Sequence, residues 1–209
     1  MRIVKSAEER KSEILDVAEQ LFAEKGFDNA STNDIIRRIG IARGTLYHHF
    51  GSKEEILDAL VERMTGEAVA RSRAVVSDKD RPILERLSGA VIALDLDTGA
   101  GPEVFTQIHK PQNALLHQKM QERLIVGVLP LISELIREGN EEGIFHSDYP
   151  DEAAEMIMIY ANTAFDSLAG LTKEQLMQKS IAFICHTERI LGAEEGSLAP
   201  AIMEIFNTT

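Results

Sequence analysis

Residues 31–57 contain the clearest structural pattern of this chain, STNDIIRRIGIARGTLYHHFGSKEEIL. Ser31, followed three positions later by an acidic residue, is typical of the start of a helix. Gly40 permits a tight turn after that short helix, and a second short helix is predicted from Arg43 to Phe50. Two short helices joined by a glycine turn predict a helix-turn-helix.

Helical spacing of apolar residues recurs along the rest of the chain, and no run has the alternation of a strand. A first helix is predicted from Ser6 to Gly26, and a fourth begins after Ser52. Further helices are predicted around 81–95 and 104–109, after Pro111, after Pro150, after Thr172 and in 198–206. The sequence therefore predicts an all-α fold, with a helix-turn-helix domain in residues 1–52 and a larger helical domain in 53–209.

The composition is typical of a soluble globular protein. Of the 209 residues, 44% are hydrophobic and 27% are charged, and no apolar run approaches the roughly 18 residues of a membrane span. The N-terminus becomes charged before an apolar signal-peptide core develops, so a cytoplasmic location is expected. Cys185 is the single cysteine, which excludes an internal disulfide.

The charge distribution bears on the expected partner. The formal net charge is -12, and residues 1–60 carry 9 Lys or Arg against 11 Asp or Glu. Within residues 33–53 the balance reverses to 4 basic residues against 1 acidic residue. This short window is the predicted phosphate-facing surface of an otherwise acidic chain.

A helix that follows a glycine turn in this way can enter the major groove of DNA. Arg43 can donate two parallel hydrogen bonds to a guanine edge, and Thr45 can contact a base or a thymine methyl group. Gly44 lacks a side chain, which allows the helix backbone to approach DNA closely. Leu46 and Phe50 lie four residues apart and are predicted to form the buried face of this helix.

The same stretch closely resembles the tetracycline-repressor (TetR) family of bacterial regulators. The matching positions are Thr32 and Ile36, the turn Ile39-Gly40-Ile41, the run Gly44-Thr45-Leu46-Tyr47 with Phe50, and Ser52-Lys53-Glu54. Ile36, Ile39 and Ala42 depart from the family pattern, which often has Ala, Ala and Ser there. The packing of the second helix on the third, and the cap of the third helix, are therefore expected to differ.

The resemblance implies a DNA-binding domain followed by a ligand-binding and dimerising domain. It places Tyr47, His49 and Lys53 against phosphates, and Thr32 with Asn33 can bind phosphate at the start of the second helix. His48 completes the predicted DNA-facing set. His48 and His49 also invite a metal site, but adjacent helical side chains point about 100° apart, so no metal site is predicted.

The second domain is predicted to bind a small-molecule effector and a second copy of the chain. The candidate residues of an apolar effector pocket are Phe105, His109, Met120, Leu124, Tyr160 and Phe165. Ordinary core packing is the alternative for each of these residues. The helices after Pro150 and Thr172 are expected to form a four-helix interface with their copies in a homodimer. No cofactor is predicted.

The function that follows is an effector-released repressor that binds a palindromic DNA operator as a homodimer. One alternative is a ligand-binding or adaptor protein that has lost DNA binding, which the acidic composition would permit. Another is an all-helical enzyme such as a di-metal carboxylate bundle. The sequence has no Glu-x-x-His pair, no glycine-rich phosphate loop and no Gly-x-Ser-x-Gly elbow, so no catalytic residue is proposed.

Overall fold

The chain is helical throughout the parts that its structure describes. The computed structural model describes residues 5–94, 111–165 and 171–208, and these ranges contain no strand. The helices are α1 Ala7–Lys25, α2 Thr32–Ile39, α3 Arg43–His49, α4 Lys53–Val76, α5 Ile83–Ile92, α6 Ala114–Glu141, α7 Pro150–Phe165, α8 Lys173–Leu191 and α9 Ala199–Thr208, with a short 3-10 helix, Pro111–Asn113, before α6. The predicted all-α fold is confirmed, while the helix expected around 104–109 falls outside the described residues.

The helix starts follow the capping signals of the sequence. Ser6, Ser31 and Thr172 each accept a hydrogen bond from the backbone three residues later, and each is part of a reciprocal capping box. The hydroxyl of Ser52 accepts from the backbone N–H of Glu55 at 3.0 Å. The Glu55 carboxylate instead accepts from Gly51, so α4 has only half of the predicted capping box.

The turn between α2 and α3 depends on a glycine. Gly40 has φ 76° and ψ 33°, a left-handed conformation that costs other residues energy. α3 then begins after Ala42, which provides no side-chain cap. The third helix is therefore short and uncapped at its start, and its position must come from tertiary packing.

The chain divides into two compact units. The N-terminal unit comprises Met1–Gly66 with Leu96–Arg123, and the C-terminal unit comprises Glu67–Asp95 with Leu124–Thr209. This division differs from the predicted boundary between residues 52 and 53, because the first turns of α4 are buried in the N-terminal core. The placement of a functional boundary at 52 and 53 stays a prediction.

One apolar core holds the N-terminal unit together. Its buried members come from α1 to α4 and include Phe22, Ile35, Leu46 and Phe50. The beginning of α6 adds Leu116 and Met120 to the same core. Burial of each large apolar side chain contributes about 1.5–3 kcal/mol, so this core is the main support of the helix-turn-helix.

A buried ion pair joins three helices within the C-terminal unit. The Arg86 side chain on α5 is only 1% exposed and donates to both Glu138 carboxylate oxygens on α6, at 2.6 and 2.7 Å. It also donates twice to the carbonyl oxygen of Val76, the last residue of α4. Lys79 contributes a further ion pair to Glu138. The guanidinium group is thus almost fully paired where water is excluded.

None of the helices in the described ranges combines the length and the apolar character needed to cross a membrane.

The ion pair makes stability depend on pH. Hydrogen bonding from Arg86, followed by that from Lys79, lowers the pKa of Glu138 from 4.5 to about 2. Because the folded pKa is depressed, the stabilisation is complete above pH about 4.5 and is lost as the pH falls towards 2. We expect Glu138→Gln to lower the free energy of unfolding by about 3 kcal/mol at pH 7, since it leaves the Arg86 charge buried and unpaired.

Urea unfolding of both proteins between pH 7 and pH 3 measures this effect. The difference between wild type and Glu138→Gln should shrink below pH about 4, and a constant difference would contradict the assignment. Asp78→Asn is the matched control, because Asp78 pairs with Arg81 on the exposed surface. Its cost should stay within about 1 kcal/mol.

Candidate nucleic-acid interface

The third helix is anchored on one side and open on the other. Leu46 is fully buried and Phe50, which follows the last residue of α3, is nearly so. Arg43 and Gly44 are exposed, and Thr45 is half-buried. This arrangement confirms the predicted buried face and leaves the two residues expected to read bases, Arg43 and Thr45, on the part of α3 that is accessible to solvent.

A small polar cluster joins the start of α2 to α3. The hydroxyl oxygens of Thr32 and Tyr47 lie 3.3 Å apart, and the Arg43 guanidinium lies 5.3 Å from the centre of the Tyr47 ring. Hydrogen bonding from Thr32, and then from Arg43, lowers the pKa of the Tyr47 hydroxyl. Tyr47 is 39% exposed, so one surface carries hydrogen-bonding groups from both helices, as a DNA contact requires.

The other predicted DNA contacts on α2 and α3 lie within two residues of this cluster in the sequence. Asn33 and His48 are exposed, and His49 is half-buried. The two histidine rings meet edge to face with centroids 5.2 Å apart. Each ring has at least one N–H that can donate to a phosphate oxygen, and the roles of both histidines in DNA binding stay predictions.

Ion pairs occupy two of the four basic residues in the window 33–53. Arg38 donates to both carboxylate oxygens of Glu24 at 3.0 Å, and Arg37 pairs with Asp34 at 2.8 Å. Arg43, in contrast, makes no salt bridge with any residue in the described ranges. The positive charge available to a partner is therefore concentrated at α3.

Lys53 has a different set of partners from the one that the resemblance implies. Its ammonium donates to the carbonyl oxygens of Phe27, Asp28 and Ala30. These carbonyls belong to the loop between α1 and α2. The predicted phosphate contact stays a prediction, and in the protein without DNA the three protons of the ammonium are directed at backbone oxygens.

The structure describes four of the six predicted effector residues, namely Met120, Leu124, Tyr160 and Phe165. Met120 is 2% exposed and lies in the core of the N-terminal unit, next to Leu116. Its role in an effector pocket stays a prediction, and the first turns of α6 share this core with residues of α1 and α4. Leu124, four residues later, is half-buried in the C-terminal unit. Phe105 and His109 fall outside the described residues.

The two aromatic candidates of α7 share one partner. The Tyr160 ring stacks on Phe183 of α8, with centroids 5.8 Å apart, and Phe165 meets the same ring edge to face at 5.5 Å. Tyr160 is nevertheless 52% exposed. This aromatic group links α7 to α8 within the C-terminal unit, and its role in binding an effector stays a prediction.

An exposed apolar face covers α7 and α8. We call it the α7–α8 face, and its exposed members are Met156, Ile159, Tyr160, Met177 and Ile181. On each helix they recur at intervals of three or four residues, so they share one side. The sequence predicts an interface on these two helices without assigning these five residues to it, although their spacing of three and four residues is the signal that identifies them.

A buried hydroxyl in the C-terminal unit was also missed. Ser72 on α4 is fully buried, and its hydroxyl makes no hydrogen bond with any residue in the described ranges. Buried hydroxyl groups are nearly always paired, so Ser72 is an exception among the described residues of this unit. Nothing in the sequence distinguishes Ser72 from an ordinary helical serine.

Comparison with known families matches both parts of the chain. Residues 14–60 match the family described as bacterial regulatory proteins, tetR family. Residues 99–185 match the family described as tetracyclin repressor-like, C-terminal domain. The first match covers the helix-turn-helix and the start of α4.

Named regulators are similar to the chain in sequence. It is 39% identical over 92 residues to the HTH-type transcriptional repressor KstR2 of Mycobacterium tuberculosis, which is 44% of this chain and about half, 46%, of that protein. It is 30% identical over 135 residues to the fatty acid metabolism regulator protein of Bacillus subtilis, covering 63% of this chain and 68% of that protein. Both of these relatives are named as regulators of gene expression or metabolism.

The fold is also found in solved structures. The fatty acid degradation regulator FadR of Bacillus halodurans aligns with a TM-score of 0.60 and 22% identity, over 98% of this chain and 95% of that one. At this identity the likeness concerns the fold alone. Together with the sequence matches and the helix-turn-helix geometry, it leads to the conclusion that this chain belongs to the tetR family of bacterial regulatory proteins.

Proposed function

We propose that the protein is a transcriptional repressor that binds a palindromic DNA operator as a homodimer and is released by a small-molecule effector. The observation that carries the proposal is the surface formed by Thr32, Arg43 and Tyr47 on two helices held by one buried core. The name of the KstR2 relative supports repression. The proposal places the protein in the cytoplasm, where bacterial DNA is accessible.

The DNA contacts divide into reading and positioning. Arg43 offers two parallel donors to a guanine edge. Thr45, two residues later on the same helix, contacts a base or a thymine methyl group. Thr32, Asn33, Tyr47, His48 and His49 supply the phosphate contacts that fix the register. Gly44 has no atom within 4 Å of the position of a Cβ, so its backbone is open to a close approach by DNA.

The α7–α8 face supports a homodimer. A contiguous exposed apolar surface marks an interaction site, and two helices from each of two chains form a four-helix interface. A two-fold dimer presents two recognition helices, and these match the two halves of a palindromic operator. A second copy of this chain is therefore the proposed occupant of the face.

The effector is proposed to bind the C-terminal unit and to favour a conformation whose recognition helices no longer match the operator. Moving such an equilibrium from 1:99 to 99:1 requires a differential affinity of about 5.5 kcal/mol. The Bacillus subtilis relative is named for fatty acid metabolism, so aliphatic acyl compounds are the first class to test. Ser72 is the proposed polar contact for such a compound.

Arg43 is expected to read sequence. Arg43→Ala should weaken operator binding by about tenfold to a hundredfold, because the bidentate contact to guanine is lost. Binding to scrambled DNA should fall much less. Arg43→Lys is the matched control, since it keeps the charge but not the fork geometry. It should retain scrambled-DNA affinity and still lose operator preference. Equal losses on both DNAs for Arg43→Ala would remove Arg43 from the reading role.

Ile181 is expected to lie in the dimer interface. Ile181→Glu places a charge on the α7–α8 face and should convert the dimer to monomers, which sedimentation velocity measures directly. Val126→Glu is the control, because Val126 on α6 is 67% exposed against 57% for Ile181 and lies outside that face. It should leave the dimer intact. A dimeric Ile181→Glu protein would reject this interface.

Ser72 is expected to contact the effector. Ser72→Ala removes a hydroxyl that has no protein partner in the described ranges, so thermal stability without effector should not fall. The effector concentration that releases operator DNA should rise about tenfold, tested with a panel of acyl compounds. Ser88→Ala is the control, because Ser88 is buried and donates to Glu204. It should lower stability instead. Unchanged release by every active compound in Ser72→Ala would reject the contact.

A further inference from the structure

Lys11, near the start of α1, carries a positive charge beside the last residues of α3. We propose that Lys11 binds a phosphate of the DNA backbone, which extends the DNA-facing surface from α2 and α3 to the first helix. The inference rests on the proposed DNA binding and deepens it by a contact in each protomer.

Most basic residues between positions 5 and 60 are neutralised within the protein. Those that pair with a carboxylate are Lys5, Arg10, Lys25, Arg37 and Arg38. Lys11, Arg43 and Lys53 make no salt bridge with any residue that the structure describes. Arg43 and Lys53 already belong to the predicted DNA-facing set, so the absence of a counter-charge marks Lys11 as its third cation.

Acidic residues close to Lys11 in the sequence leave its ammonium without a carboxylate. Oppositely charged side chains three residues apart on a helix are near enough to pair, yet Glu8 forms no ion pair with Lys11 in the described ranges. Glu13 instead pairs with both Lys5 and Arg10. The charge of Lys11 is therefore open to an anion from outside the protein.

The ammonium of Lys11 lies next to the end of α3. It is 5.9 Å from the centre of the ring of Phe50, the residue that follows the last residue of α3, and this distance is within the range of a cation–π contact. The Phe50 side chain is nearly buried, whereas Lys11 is exposed. The ammonium thus lies at the solvent edge of the N-terminal core, while Arg43 occupies the opposite end of the same helix.

The length of α3 suits these two cations to the major groove. Its seven residues rise about 10 Å along the helix axis, and the major groove is about 12 Å wide. When Arg43 in the first turn reaches a base edge, the far end of α3 comes close to the sugar–phosphate backbone that borders the groove. A lysine ammonium is a compact charge that binds phosphate without a fixed geometry. Lys11 would therefore fix the position of α3 without adding a base preference.

The salt dependence of DNA binding tests the contact. The probes are an operator that the wild-type chain selects from a random duplex library and a scrambled duplex of the same length. Lys11→Met should weaken binding to both about tenfold at low salt, and should reduce the slope of log affinity against log salt by about 0.9 per protomer, because one phosphate contact is lost. Lys11→Arg should retain the affinity and the slope, since it keeps the charge.

Lys119→Met is the matched control. It removes the same charge from the same compact unit, but Lys119 pairs with Asp58 at 2.6 Å. The slope should therefore stay as in the wild type. An equal change of slope in Lys119→Met and Lys11→Met would overturn the contact, because it would show an effect of net charge alone.

Two further results for Lys11→Met would overturn the proposal. An unchanged slope would mean that no phosphate is bound, and a loss confined to the selected operator would make Lys11 a base-reading residue. A wild-type chain that binds no duplex DNA would overturn both the contact and the proposed function. A wild-type chain that binds DNA, with Lys11→Met binding equally well, would overturn the contact alone.

Discussion

A helix of seven residues cannot hold its own shape in water, and the DNA-facing surface is built on such a helix. α3 spans Arg43–His49 and lacks a side-chain cap at its start, so its nucleation cost must be offset by packing. Leu46 and Phe50 provide that packing within a core shared by α1, α2 and α4. The orientation of every proposed base and phosphate contact on α3 thus depends on the burial of these two side chains.

Several basic residues of the DNA-binding region already have partners within the protein. Arg37 and Arg38 are paired with Asp34 and Glu24 on the protein itself, and Lys53 is directed at backbone oxygens. The chain also carries a net charge of -12, which opposes non-specific attraction to phosphate. Binding to DNA would then depend on correctly placed hydrogen bonds more than on general electrostatic attraction, which favours discrimination between sequences.

Local patterns were predictable from the sequence, whereas distant partners were not. Capping residues such as Ser31 act within three positions, and the spacing of Leu46 and Phe50 defines one helical face, so both could be read directly. The partners of Lys53 lie 23 to 26 residues away, and backbone carbonyls carry no sequence signal. The core that contains Met120 was unpredictable for a related reason. Its helix is continuous, and only tertiary packing shows which core receives its first turns.

The Arg86–Glu138 pair limits which substitutions can accumulate at these two positions during evolution. Glu138 replaced alone leaves the buried Arg86 without its counter-charge, and Arg86 replaced alone leaves Glu138 paired with the exposed Lys79. An apolar pair of similar volume in both positions is close to neutral in stability. The two positions lie 52 residues apart in sequence, on separate helices. A lineage that abandons the pair must therefore pass through a weakened intermediate. Among relatives that keep this packing, we expect the two positions to be inherited together and lost together.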